Sequence, residues 1–150
     1  MPVGFDTFAY RRNLPHLVKS GKAIFLTFCA KRELTHSERD LALHCCVHDH
    51  ETTYFLECAV VMPDHVHMIL WPFEEWTLAR ITHRLKSVSS HATNRLNGAT
   101  GHVWQHESFD HIVRSSESLE KKMDYVFNNP VRAGLAATPS DYRWLWPRPV

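Results

Sequence analysis

Hydrophobic positions along this chain follow two periods, and the switches between them mark the elements. Ala23 to Ala30 (AIFLTFCA) is an aromatic and apolar run between Gly21 and the Lys31–Arg32 pair, which predicts a buried strand. Thr35 or Ser37 can cap a helix running to about Val47 or His48, with Leu41 and Cys45 on its apolar side. Tyr54 to Met62 predicts a second strand. Pro63–Asp64 makes a tight turn, and His65 to Trp71 returns antiparallel as a third strand.

After Pro72 the period changes. Leu78, Ile81, Leu85, Val88, Ala92 and Leu96 recur at helical spacing and predict an amphipathic helix from Trp76 to Leu96, closed by Gly98 to Gly101. Arg80, Arg84, Ser87, His91 and Arg95 run along a different face of it. Ser108 to Arg114 alternates as a fourth strand, with Phe109, His111 and Val113 on one face. Ser116 caps a last helix, where Glu117 and Glu120 complement the positive N-terminal dipole and Leu119, Met123, Val126 and Phe127 form the apolar face. Pro130 is expected to stop it, because the residue before a proline avoids the helical region. The order β-α-β-β-α-β plus a third helix predicts an α+β, ferredoxin-like (split β-α-β) antiparallel sheet with helices packed on it. We expect one domain over residues 1–150, with 1–20 an N-terminal arm draped over the body and 131–150 a C-terminal tail whose Trp144 and Trp146 pack back.

Composition changes this picture little. At 44% hydrophobic and 22% charged residues the 150-residue chain is ordinary for a globular protein, and a formal net charge of +1 leaves the distribution of charge as the informative quantity. The four cysteines, Cys29, Cys45, Cys46 and Cys58, show no C-x-x-C spacing and are expected to be reduced and mostly buried. No apolar run resembles a signal peptide or a membrane span, so no membrane association and a cytoplasmic location are expected.

The chemistry concentrates in Val60-Val61-Met62-Pro63-Asp64-His65-Val66-His67. Side chains alternate faces on a strand, so His65 and His67 point the same way while Val66, Met68 and Leu70 point into a core. Two adjacent imidazoles are half of a metal site, and a third ligand must come from elsewhere. On a polar cleft face, their truncation would leave no core cavity. On the last helix Tyr125 and Asn129 share a face distinct from the apolar stripe, with Lys121 one turn before. Taken singly each piece has a plainer reading: a half-exposed sheet histidine pair, a packing tyrosine, a helix end before a breaker.

The segments VVMPDHVHMILWP, LKSVSSHATNRLN, VWQHESFDHIVRS and MDYVFNNPVRAGL, preceded by YRRNLPHLVKSGKAIFLTF, occur in the order seen in the REP-associated tyrosine transposases, a branch of the HUH single-strand DNA transposases, and the resemblance spans about Tyr10 to Trp146. It implies an HUH-endonuclease type of fold, a divalent cation (Mg²⁺ or Mn²⁺) on His65, His67 and Asn129, and Tyr125 as the nucleophile. It further implies cleavage and rejoining of single-stranded DNA at hairpin-forming repeats through a 5′-phosphotyrosine link, by a monomer or homodimer. Where many relatives have tyrosine or glycine-tyrosine this chain has Ser108–Phe109, a departure that touches flanking contacts rather than the nucleophile. Arg80, Arg84 and Arg95 with Lys86 beside them are candidate DNA contacts, as are Arg11, Arg12, Lys121, Lys122, Arg132 and Arg143. Trp71, Trp104 and Phe109 are candidates for stacking on bases or for core packing. Two other functions fit the same residues: a domesticated hairpin-binding protein without transposition activity, and a structural metal-binding domain.

Overall fold

The computed structural model describes residues 22–149, so the expected N-terminal arm, with Arg11 and Arg12, lies outside the described residues. Strands β1 (Ala23–Ala30), β2 (Tyr54–Val61), β3 (His65–Pro72), β4 (Trp104–Val113) and β5 (Leu145–Trp146) form one sheet in the order β4-β1-β3-β2-β5. Every pairing is antiparallel. With helices α1 (His36–His48), α2 (Leu78–Asn97) and α3 (Ser116–Arg132) the chain has the α+β, split β-α-β arrangement that the pattern predicts. None of the described helices is long and apolar enough to cross a membrane. All four cysteines are free thiols; Cys46 and Cys58 are buried, Cys29 and Cys45 half-buried.

The β2–β3 turn closes where Met62 N–H donates to His65 O at 2.7 Å. Pro63 and Asp64 then offer their carbonyls to Leu34 N–H (2.7 Å) and Ala30 N–H (2.8 Å), which fastens the turn to the end of β1. Val66, Met68 and Leu70 are fully buried as expected. Helices α1 and α2 cover their side of the sheet: Tyr54 Oη donates to Cys46 O at 2.7 Å, and Trp104 Nε1 donates to Ser89 Oγ at 2.7 Å. Helix α3 lies on the other face, against β2 and β3.

Four boundaries and faces differ from expectation. Helix α1 buries Ala42 and Cys46, leaving Leu41 and Cys45 half-buried, because the capping residue Glu38 is drawn inward and sets the buried track at Glu38, Ala42 and Cys46. Helix α2 starts after Thr77 and buries Ile81, Leu85, Ser89 and Thr93 at a spacing of four, so Val88 and Leu96 are 43% and 54% exposed. Ser89 is tolerated there because its hydroxyl also donates to Leu85 O at 2.6 Å. Strand β4 begins at Trp104, four residues before the predicted start, anchored where the Trp104 ring meets Phe28 edge-on at 4.8 Å. Helix α3 is capped by Ser115 and runs through Pro130 to Arg132. The proline removes only its own N–H, and the helix ends one turn later, where Gly134 (φ +76°) donates to Val131 O at 3.0 Å and Leu135 to Pro130 O at 2.8 Å. The tail does pack back: Trp144 is buried, and Leu145–Trp146 adds a fifth strand that the sequence pattern did not predict.

The start of α1 carries the fold's most heavily bonded carboxylate. Glu38 is 2% exposed. It closes a capping box with Thr35, accepts two hydrogen bonds from Arg32 (2.7 and 2.8 Å), and takes one from Asn97 of α2 at 2.6 Å. The Arg32 hydrogen bond, opposed by burial and aided by the Thr35 and Asn97 donors, lowers its pKa to about 2. A depressed carboxylate stabilises the fold fully above its unfolded value of about 4.3 and loses that contribution as pH falls toward its folded one. Glu38→Gln is therefore expected to cost about 2 kcal/mol at pH 7. Denaturant titrations of both proteins should show the difference shrinking between pH 4 and pH 2; a constant difference would assign the loss to packing.

Candidate active site

Antiparallel register places residues in rows across the sheet. Phe109, Thr27, His67, Val60 and Leu145 are successive partners from β4 to β5 and therefore share the α3 face. His65 stands opposite Cys29, two residues from His67 on the same face. The two imidazole rings meet at 4.7 Å between centroids.

Each histidine has one nitrogen engaged. His67 Nδ1 lies 2.7 Å from Thr27 Oγ1, and His65 Nδ1 lies 2.8 Å from Asp64 Oδ1. A δ-protonated ring that donates through Nδ1 keeps the Nε2 lone pair free, which is the arrangement a metal-binding histidine uses. Burial lowers the His67 pKa to about 4, reinforced by His65, Arg132 and Lys122, so this ring is neutral at pH 7. His65 is half-buried and His67 only 7% exposed, so the expectation of a shared open cleft face is corrected for His67. Its ring stacks on Phe25 at 5.3 Å, and Phe25 touches His111 on its other side at 5.2 Å.

Helix α3 brings Tyr125 to this row. Its ring centroid is 5.7 Å from that of His67 and 6.0 Å from that of Phe25, and the side chain is 42% exposed. Two cations flank it. The Arg132 guanidinium lies 4.3 Å from the ring centroid while Nη2 donates to Tyr125 O at 2.8 Å. The Lys122 ammonium is 5.8 Å from the same ring and 5.0 Å from that of Phe25. Asn129, half-buried, follows Tyr125 by one helical turn. Among the described residues no three His, Cys, Asp or Glu side chains converge as a metal set. The imidazole nitrogens of the His65–His67 pair, with a carboxamide oxygen from Asn129, are a donor chemistry that fits a divalent cation.

The remaining candidates are spread over the molecule. Arg84 forms a bidentate pair with Asp49 (2.8 and 3.2 Å). Lys86 donates to three β4 carbonyls, those of Gln105, His106 and Glu107, at 2.9 to 3.2 Å. Arg80 lies over the Trp76 ring at 4.2 Å and donates to Glu75 O. Arg95 lines a groove of about 1330 Å³ between α2 and β4. Lys121 reaches Glu117 at 4.0 Å, and Arg143 bonds Asp40 at 2.6 Å. Among the described candidates only Arg132 and Lys122 stand against Tyr125. Sequence reasoning missed Thr27, Phe25 and His111, whose places follow from register and carry no motif.

The fold and site together define a sheet-borne His-x-His pair faced by a helix-borne tyrosine. The family model described as "Transposase IS200 like" matches residues 24–129, and the chain belongs to that family. Two curated relatives also match, at 25% identity over 92 residues in Haemophilus influenzae and 28% over 85 residues in Escherichia coli K12. Both are named REP-associated tyrosine transposase, the first provisionally. Each match takes 55% of this chain and 52% or 48% of the relative, so the chain spans about half the length of the curated relatives it matches. A solved structure of a REP-associated tyrosine transposase bound to a REP hairpin superposes with a TM-score of 0.70 at 21% identity, over 83% of this chain and 76% of that one, and shows the shared fold.

Unequal burial of the two histidines gives an expected outcome. In metal-free buffer His67→Ala should cost roughly 2 kcal/mol, because it empties a packed ring site and strands the Thr27 hydroxyl. His65→Ala, at a half-open position, should cost less than about 1 kcal/mol. The folded His67 pKa of about 4 lies below the ordinary 6.5. The neutral ring's contribution is thus complete above pH 6.5 and lost as pH falls toward 4. Melting curves should show a shallower acid slope for His67→Ala than for the parent across that window.

Proposed function

We propose that this chain is a metal-dependent, single-tyrosine transposase that cleaves and rejoins single-stranded DNA at hairpin-forming repeats. The observation that carries the reading is the Tyr125 ring, held 5.7 Å from His67 between two cations. In this reading Tyr125 Oη attacks the phosphorus in line. A tyrosyl O–P bond forms to the 5′ side, the P–O3′ bond breaks, and the phenolic proton ends on the departing 3′-hydroxyl. The energy of the phosphodiester is kept in the link, so that hydroxyl or another can reverse the step. His65, His67 and Asn129 would hold a divalent cation, Mg²⁺ or Mn²⁺. When bound, that ion neutralises charge that develops on the phosphate oxygens.

Lys122 and Arg132, at 5.8 and 4.3 Å from the Tyr125 ring centroid, would offer N–H donors to a phosphate's non-bridging oxygens. The Tyr125 ring reaches His67 of its own chain at 5.7 Å, which supports a unit that borrows no tyrosine from a second copy. A REP-associated tyrosine transposase with this fold binds a REP hairpin, which supports a hairpin as the DNA partner.

The test is incubation of the protein with labelled single-stranded hairpins and Mn²⁺, followed by a denaturing gel. A protein–DNA adduct is expected from the parent and none from Tyr125→Phe, whose hairpin affinity should change by less than about threefold, since the ring's packing is retained. A retarded native complex without any adduct would identify a hairpin-binding protein instead.

Substrate shape gives a second expectation. The described residues form no helix-turn-helix, and Tyr125 must meet a bare phosphodiester with room for in-line attack. A hairpin with a single-stranded flank should bind at least tenfold more tightly than a full duplex of the same sequence. Its affinity should also fall with salt, at a log–log slope of about −0.7 per single-strand phosphate contact. Equal gel-shift affinities for the two forms would count against the single-strand reading even with the adduct present.

A further inference from the structure

The row that crosses the α3 face of the sheet ends at Phe109. His67, Val60 and Leu145 are buried, whereas Phe109 is 60% exposed, the most exposed large apolar side chain among the described residues. Single apolar residues on a surface are common and need no function. The place of this one sets it apart. Its cross-strand partner is Thr27, the residue that holds His67. Strands in a sheet lie about 4.8 Å apart, so the Phe109 backbone stands about 10 Å from that of His67, within the reach of a neighbouring nucleotide.

Among the described residues helix α3 packs chiefly on β2 and β3, and on β4 His111 is exposed as well as Phe109. The other aromatics that sequence alone made eligible for stacking are excluded by burial: Trp71 is 8% and Trp104 4% exposed. The open ring has Lys122, against Phe25, and Arg132 on the same side of the sheet. An exposed aromatic plane on the sheet face that also carries Lys122 and Arg132 matches a flat apolar ring carried on an anionic backbone, which is a nucleobase in a single strand.

We infer that Phe109 is a base-stacking residue that receives the base next to the phosphodiester attacked by Tyr125. The inference rests on the reading of Tyr125 as nucleophile.

The test uses the full chain and a hairpin oligonucleotide whose single-stranded flank carries 2-aminopurine at each position in turn, with Tyr125→Phe as the background that prevents cleavage. Stacking quenches this base. One position, within one or two nucleotides of the bond cleaved by the parent protein, should be quenched on binding. The quench should vanish in Phe109→Ala and in Phe109→Leu, and return in Phe109→Tyr. Affinity should fall about tenfold in Phe109→Ala, the lower part of the range for one stacked base. The salt slope should not change, since no phosphate contact is lost. Quenching that ignores Phe109, or full rescue by Phe109→Leu, would overturn the inference. So would a Phe109→Ala variant that changes sedimentation mass but not DNA affinity, which would make the exposed ring part of a contact between two copies of the chain. An adduct on the same oligonucleotide with no Phe109-dependent position removes this inference alone; absence of both adduct and binding removes the reading beneath it as well.

Discussion

The contact between Thr27 Oγ1 and His67 Nδ1, at 2.7 Å, is where fold and chemistry meet. A ring nitrogen inside a sheet is costly unless it has a partner, and the partner here comes from the neighbouring strand. That partner exists only in one register. A slip of β1 against β3 by one residue would turn every side chain to the opposite face, placing Leu26 or Phe28 beside the histidine and exposing the core. The register of β1 is pinned at the β2–β3 turn, where the Pro63 and Asp64 carbonyls receive the Leu34 and Ala30 N–H groups. With Nδ1 donating to Thr27, Nε2 would keep its lone pair, and burial keeps that ring neutral.

Tyr125 depends on a different constraint. The apolar face of α3 is spent on Leu119, Met123, Val126, Phe127 and Pro130, which fixes the helix's rotation on the sheet. Tyr125 then falls at the border of the buried stripe, near enough to touch His67 and Phe25 yet 42% exposed. The proline in the last turn does not break the helix but brings its end close. The Gly134 stop leaves Arg132 in the final turn, from which its guanidinium folds back over the tyrosine ring and onto the Tyr125 carbonyl. A helix ending at Asn129 would not carry that arginine.

Much of this was legible in the chain. The bounds of β1, the H-x-H pair on one face, the Pro63–Asp64 turn and the apolar stripe of α3 all follow from periodicity and turn chemistry, as does the antiparallel split β-α-β order. The reading failed where tertiary partners overrode local pattern. Ser89 and Thr93 are buried in place of Val88 and Leu96, because Trp104 supplies a hydrogen-bond donor to Ser89 that no window of the sequence reveals. Leu145–Trp146 becomes a strand only because β2 presents a free edge beside it. Thr27, Phe25 and His111 were invisible because nothing local distinguishes a threonine or phenylalanine that faces a histidine from one that faces a helix; only the register does.

Charge was the least legible quantity, and the reason is physical. The α2 arginine stripe looks like a DNA-binding surface in sequence, yet Arg84 is bound to the buried Asp49 and Lys86 is committed to three carbonyls of β4. A cation with that many fixed acceptors would have to leave them to meet a phosphate, losing one set of charge-assisted bonds for another at little net gain. Arg132 and Lys122 are held instead largely by ring faces, a weaker attraction that leaves their N–H groups available. With a net charge of only +1, where individual cations stand matters more than their total. In this fold two of them stand on the α3 face, beside the tyrosine and the histidine pair.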